Sequence, residues 1–133
     1  MMPERQNNME KINIFEIEGT EFPAGRRTRV MIGQNGAITG EKFCQGFVMI
    51  HPDGRIPEHE HETVESYTIL QGHGEMTVDG EKQPVGPGDC VFVPSGKPHA
   101  LHNTGAEEMH MMFVYAPSII VDHWAQESAG ELK

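Results

Sequence analysis

The sequence predicts an all-β fold, a closed or double-sheet β-barrel, on three observations. The chain has 133 residues, of which 15 are Gly and 9 Pro, a density of breakers that leaves little room for long helices. Between the breakers lie about nine to eleven short runs with strand character, β-branched, aromatic or alternating. The length suits one domain able to bury its own core.

In chain order, residues 1–10 read as a polar, frayed leader, residues 11–117 as the barrel, and residues 118–133 as a tail with room for one helical turn. Lys11 to Glu18 alternates Ile12 and Ile14, with Phe15 and Ile17 as further apolar positions, and reads as a first strand. Arg26 to Ile32 is a basic strand, closed by the turn residues Gly33-Gln34-Asn35-Gly36. Phe43 to His51 is apolar on both faces, as a strand covered on both sides would be. The run through Tyr67-Thr68-Ile69-Leu70 stops at Gly72. Glu75 to Val78 and Glu81 to Val85 flank Asp79-Gly80, a dipeptide suited to a type I′ hairpin turn. Cys90 to Val93 ends at Pro94-Ser95-Gly96. His99 to Asn103 is short, and Glu108 to Tyr115 is the last long strand before Pro117.

Hydrophobic residues make up 37% and charged residues 23%, a globular rather than disordered balance. The formal net charge of -10 argues against a nucleic-acid or anionic-membrane surface, since both need basic patches. An anionic small molecule is not excluded, because a metal and a few arginines can dominate locally. No apolar run approaches a membrane span, and the polar Glu4 to Asn8 is not the start of an export signal. Two cysteines, Cys44 and Cys90, make no disulfide framework, so a reducing cytoplasm is the default expectation.

The chemistry concentrates in His59-Glu60-His61-Glu62-Thr63-Val64-Glu65, with His99 downstream among turn residues. Imidazole nitrogen and carboxylate oxygen together suit divalent first-row metals. On a strand, His59, His61 and Glu65 share one face. On a helix, His59 and His61 would diverge. Pro57 and the β-branched Thr63 and Val64 also oppose a helix, and the helical His-Glu-x-x-His spacing is absent, since Thr63 and Glu65 stand where its second histidine would.

Two motifs in this order resemble those of the cupin superfamily, whose fold is a double-sheet jelly roll. Gly54, His59, His61, Glu65 and Gly72 match the first motif, with four rather than five residues between Gly54 and His59. Gly88, Pro94, Gly96, His99 and Asn103 match the second in full, after an intervening stretch of fifteen residues. The resemblance covers residues 54–103 and implies one divalent transition metal ion (Fe, Mn, Zn, Ni or Cu) held by His59, His61, Glu65 and His99 in the barrel mouth. Such a donor set leaves open positions for water or substrate. It implies a metal-dependent enzyme acting on a small oxygen-rich molecule (keto acid, dione or sugar acid) by dioxygenase or isomerase/lyase chemistry. The alternative is a non-catalytic module that binds or senses a small metabolite. A homodimer is expected from the same resemblance, with Lys11 to Glu18 as a strand that crosses to the partner.

Other residues complete the expected site. Glu65 serves as metal ligand or, off the metal, as general base. Tyr67 shares its parity and points inward, as a pocket hydroxyl or as plain core aromatic. His110, on the last strand, is a candidate base lining the pocket, whereas His102 has the opposite parity to His99 and faces away. Arg26, Arg27 and Arg29 offer guanidinium groups to a substrate carboxylate, or keep an edge strand soluble. Met49, Met76, Met109, Met111 and Met112 are expected to pack the barrel, and Cys44 and Cys90 to be buried thiols.

Overall fold

The computed structural model describes residues 9–118 and 123–129. The leader to residue 8, residues 119–122 and the last four residues lie outside the described part. Eleven strands run β1 Thr20–Phe22, β2 Arg26–Gly33, β3 Ile38–Thr39, β4 Cys44–Ile50, β5 Arg55–His59, β6 Val64–Gln71, β7 Gly74–Val78, β8 Glu81–Val85, β9 Cys90–Val93, β10 His99–Asn103 and β11 Met109–Ala116. One short helix follows, α1 His123–Ser128. The strands form a seven-stranded sheet, ordered β1-β2-β4-β11-β6-β9 with β3 beside β2, and a four-stranded sheet, ordered β5-β10-β7-β8. All pairings are antiparallel except β2 with β3. This is the double-sheet option that the strand count leaves open, and the jelly-roll arrangement that the resemblance implies.

The alternation of each strand decides what enters the space between the sheets. On β11, Met109, Met111, Phe113 and Tyr115 are buried and the residues between them only partly so. On β6 the inward set is Glu65, Tyr67 and Ile69, and on β10 it is His99, Leu101 and Asn103. Polar donors therefore occupy the same inward series as core residues, at the end of each strand nearest the site. Asp79 and Gly80 both have positive φ, 50° and 86°, as the β7–β8 hairpin turn requires. Gly54 is needed for a different reason: a Cβ there would sit 2.1 Å from the carbonyl oxygen of Gly25.

Four expectations change. Lys11 to Glu18 is not a strand; Ile14–Glu16 forms a 3-10 turn, because the Asn13 side chain accepts from the Phe15 N–H at 2.9 Å while Glu16 reaches back to the Asn13 N–H. Phe15 then lies against Phe47 on the outer face of the larger sheet, ring centroids 6.5 Å apart. β2 is not an edge, since β1 and β4 flank it. Its outward Arg27 and Arg29 donate to the carbonyls of Glu18 and Ile17 at 2.6 and 2.9 Å and so fasten the N-terminal segment, while Arg26 is buried. Cys44 is buried as expected, but Cys90 is exposed on the outward face of edge strand β9, beside the exposed Phe92. Of the methionines, Met76, Met109 and Met111 are in the core, whereas Met49 and Met112 point outward and are half-buried.

Asn103 closes the seam between the sheets. From the end of β10 its side-chain N–H groups donate to the carbonyls of Ile50, His51 and Glu107 at 2.9, 3.1 and 2.9 Å, and its Oδ1 accepts from Gly105. Replacement by alanine strips these buried carbonyls of their donor. Asn103→Ala is expected to lower the unfolding free energy in urea by about 1–3 kcal/mol; an unchanged midpoint would show that the seam does not depend on it.

Candidate metal centre

His59 and His99 stand directly opposite each other on β5 and β10, as a cross-strand pair of the smaller sheet. Glu65 comes from β6 of the larger sheet, where it pairs with Val93 and Tyr115. His61 lies in the connection between β5 and β6, where the chain passes from one sheet to the other. One potential ligand atom from each of these four residues lies within 4.8 Å of the others. The imidazole rings of His59 and His99 are 4.2 Å apart by centroid, and those of His61 and His99 5.0 Å. The sequence-expected ligands thus come together in the interior.

The backbone orients each ring. His59 Nδ1 donates to the Pro57 carbonyl at 2.7 Å, His99 Nδ1 to the Lys97 carbonyl at 2.9 Å, and His61 Nδ1 to the Thr63 carbonyl at 3.1 Å, with the buried Thr63 hydroxyl 2.6 Å away. Carbonyls only accept, so all three rings carry hydrogen on Nδ1. In the neutral ring the Nε2 lone pair is then left for a ligand role, the arrangement by which backbone partners set the tautomer of metal-binding histidines.

Glu65 Oε1 lies 3.1 Å from His61 Nε2 and 3.2 Å from His99 Nε2. Lone pairs of a neutral Nε2 and a carboxylate oxygen repel at this distance. A cation belongs there, either extra protons on the rings or a metal ion among them. The donor set fits a divalent transition metal on this ground. Burial pushes Glu65 up, but its hydrogen bonds to His61 and His99 outweigh that and hold its carboxyl below the usual range. Burial opposes a charge on His61, yet the hydrogen bond and charge of Glu65 raise it above an ordinary imidazole. His59 is driven down to about 3, by burial and then by repulsion from His99, and stays neutral.

Around this cluster, Tyr67 is fully buried with its ring 5.9 Å from that of His99, and burial raises its phenol well above the ordinary value. The Tyr115 ring is 6.1 Å from that of His61. A cavity of about 20 Å³ adjoins Glu65, walled by Arg26, Thr28, Tyr67 and Trp124 among others. His110 is elsewhere: it has the opposite parity to the inward residues of β11, packs edge-on against Phe47 at 5.4 Å and meets Glu108 at 3.3 Å on the outer face. It cannot line this interior. His102 also faces outward, to Asp53 at 2.9 Å. Sequence reasoning gave Arg26 no place in the core, because Arg27 and Arg29 beside it make the whole run look like a solvated face.

Two expectations follow for measurement. After metal loading, elemental analysis should find one divalent ion per chain, and His61→Ala should bind it about tenfold more weakly or worse; undiminished binding would remove His61 from the ligand set. In the metal-free chain, His59 costs stability below the ordinary imidazole value of about 6.5, because only the unfolded state takes its proton there. The contribution of His61 is full below the same value and lost as pH rises through its raised folded value. These two rings therefore give the metal-free protein a stability maximum near pH 6.5 or about that value, which urea denaturation across pH reads. Bound metal should remove the alkaline decline, since it replaces the proton; a decline identical with and without metal would contradict the assignment.

Known proteins bear on the site and the fold. The family model for the cupin domain matches residues 46–115, which include all four donors. The chain is 32% identical over 83 residues to 5-nitrosalicylic acid 1,2-dioxygenase of Bradyrhizobium sp, a match covering 62% of this chain and 40% of that protein. It is 39% identical over 84 residues to dimethylsulfoniopropionate lyase DddQ of Ruegeria pomeroyi, covering 62% and 41%. It thus spans about two fifths of the length of these curated relatives. The structure of KdgF from Halomonas sp. superposes with a TM-score of 0.72 at 16% identity, covering 88% of this chain and 99% of that one, which supports the fold. The chain belongs to the cupin domain family.

Proposed function

We propose that the protein is a metal-dependent enzyme acting on a small, oxygen-rich molecule such as a keto acid, a dione or a sugar acid. The convergence of three imidazoles and one carboxylate within 4.8 Å, inside the barrel, is the observation that carries this reading. The relatives named 5-nitrosalicylic acid 1,2-dioxygenase and dimethylsulfoniopropionate lyase support it, since each name pairs one of these two reaction classes with a small organic acid or its anion. When bound, a divalent ion supplies Lewis-acid polarisation of a substrate oxygen and, if redox-active, an electron partner for dioxygen.

The residues of the chain supply the rest. Three backbone-anchored imidazoles hold the ring nitrogens at fixed aim, so these rings need not turn when a ligand arrives. Glu65 is held as a carboxylate by its neighbours and is the group able to take a proton from a substrate carbon or hydroxyl. Burial holds the Tyr67 phenol well above its ordinary value, so it serves as a hydroxyl that can donate or accept a hydrogen bond. The apolar Val48, Ile56, Met111 and Phe113 complete the wall and exclude water. His110 has no part in this set.

A second reading, a non-catalytic module that sequesters a small metabolite, is favoured by one observation: the interior space beside Glu65 is only about 20 Å³, close to the size of a single water. Oxygen-consumption and ultraviolet-absorbance assays on a panel of diketones, keto acids and unsaturated uronates decide between them. Turnover that chelation abolishes and added metal restores is the expected result. Ligand-induced stabilisation with no turnover under any metal would overturn the enzyme reading in favour of the binding module.

A further inference from the structure

Arg26, the first residue of β2, is 1% exposed and points between the sheets. Its two terminal nitrogens grip both carboxylate oxygens of Glu127, Nη2 to Oε1 at 2.6 Å and Nη1 to Oε2, while Nη1 also reaches the Arg55 carbonyl at 3.4 Å. The guanidinium lies over the Phe22 ring, 4.3 Å from its centroid. Glu127 is equally buried and comes from α1, a helix of six residues. Burying both ions is expensive, and an apolar pair of similar volume would hold a helix at least as well. A fixed two-pronged fork in an apolar setting is the geometry that recognises a carboxylate.

The position of the fork gives it a use. Arg26 lines the same cavity as Glu65 and Tyr67, so Arg26 and the carboxylate member of the metal-ligand cluster border one interior space. Thr28, on the same wall, has a buried hydroxyl with no hydrogen-bond partner among the described residues. The remaining space, about 20 Å³, admits little beyond a water; Trp124 lines it, and Glu127 holds the Arg26 that lines it.

We propose that Arg26, with the Thr28 hydroxyl, is the subsite for a carboxylate on the small molecule this barrel takes, and that Glu127 occupies it as an internal stand-in that the ligand must displace. The subsite deepens the proposed function by assigning the substrate to the carboxylic acids, and it rests on reading the interior as a ligand site. A ligand with a carboxylate at one end and an oxygen donor at the other spans from Arg26 toward the Glu65 cluster. Glu127 then sets a threshold: only a carboxylate that gains additional contacts at the cluster competes with a tethered one.

Trp124, three residues before Glu127, is the chain's one tryptophan and lines the cavity, so its emission reports the exchange. The full-length chain is titrated with succinate, and with neutral succinamide as control, both metal-loaded and after chelation. Succinate should shift Trp124 emission and succinamide should not. Glu127→Gln removes the competing charge and should bind succinate at least about tenfold more tightly, with succinate restoring a lowered Tm. The paired variant Arg26→Met with Glu127→Leu leaves no unmatched charge and should fold, keep its metal and lose the succinate response. If Glu127→Gln does not fold, the wild type against the paired variant decides alone. A paired variant that binds succinate like the wild type, or a wild type indifferent to it, overturns the proposal. Metal content is measured separately, so a chain that holds its ion yet ignores succinate refutes the subsite alone. A chelated chain that still responds through Arg26 keeps the subsite even where the metal reading fails.

Discussion

One buried carboxylate governs this structure. Glu65 is an inward residue of the larger sheet, yet its oxygen meets imidazoles from the smaller sheet and from the chain joining the two. A charge at that depth is tolerable only when positive groups surround it closely. Three rings whose Nδ1 hydrogens are already committed to backbone carbonyls cannot supply that positive charge while neutral. The fold therefore contains an electrostatic demand that protons meet only in part, since Glu65 raises His61 but burial keeps His59 neutral. A divalent ion shared by all four donors meets it in full.

The same demand explains how a core becomes a site without a break in the barrel. On β6 and β10 the inward series runs from Glu65 to Ile69 and from His99 to Asn103, with hydrophobic residues directly following the donors. Packing behind the donors fixes their backbone, and the backbone fixes the rings. Function and stability draw on one alternation, so a one-residue slip in either strand would expose the core and scatter the ligands together. Arg26 and Glu127 repeat the pattern of buried charge matched by charge, and Arg26 borders the same cavity as Glu65 and Tyr67.

Much of this was legible in the sequence, for a physical reason: strand parity is a local property. Asp79-Gly80 marks a hairpin by its conformational needs, and the turn glycines mark the ends of strands. His59, His61 and Glu65, however, do not share one strand face: they converge from β5, from the connection after it and from β6 of the other sheet. What parity cannot show is which face of a strand becomes the inside. His110 lies on a strand that lines the interior, but the inward series of β11 runs through Met109 and Met111, which leaves it outside against Phe47. Lys11 to Glu18 alternates like a strand, and the Asn13 and Glu16 side chains outcompete sheet pairing locally. Arg26 was hidden by its neighbours: three arginines in four positions suggest solvent, and only the tertiary partner Glu127, a hundred residues away in sequence or about that, reveals the burial.

The central claim, that four donors from both sheets hold one ion, is tested most directly by X-ray absorption at the metal edge of the loaded protein. The account predicts a single metal environment of three imidazole nitrogens and one carboxylate oxygen at roughly 2.0–2.2 Å, completed by solvent oxygen. A shell of oxygen alone, without the outer scattering that imidazole rings produce, would contradict it.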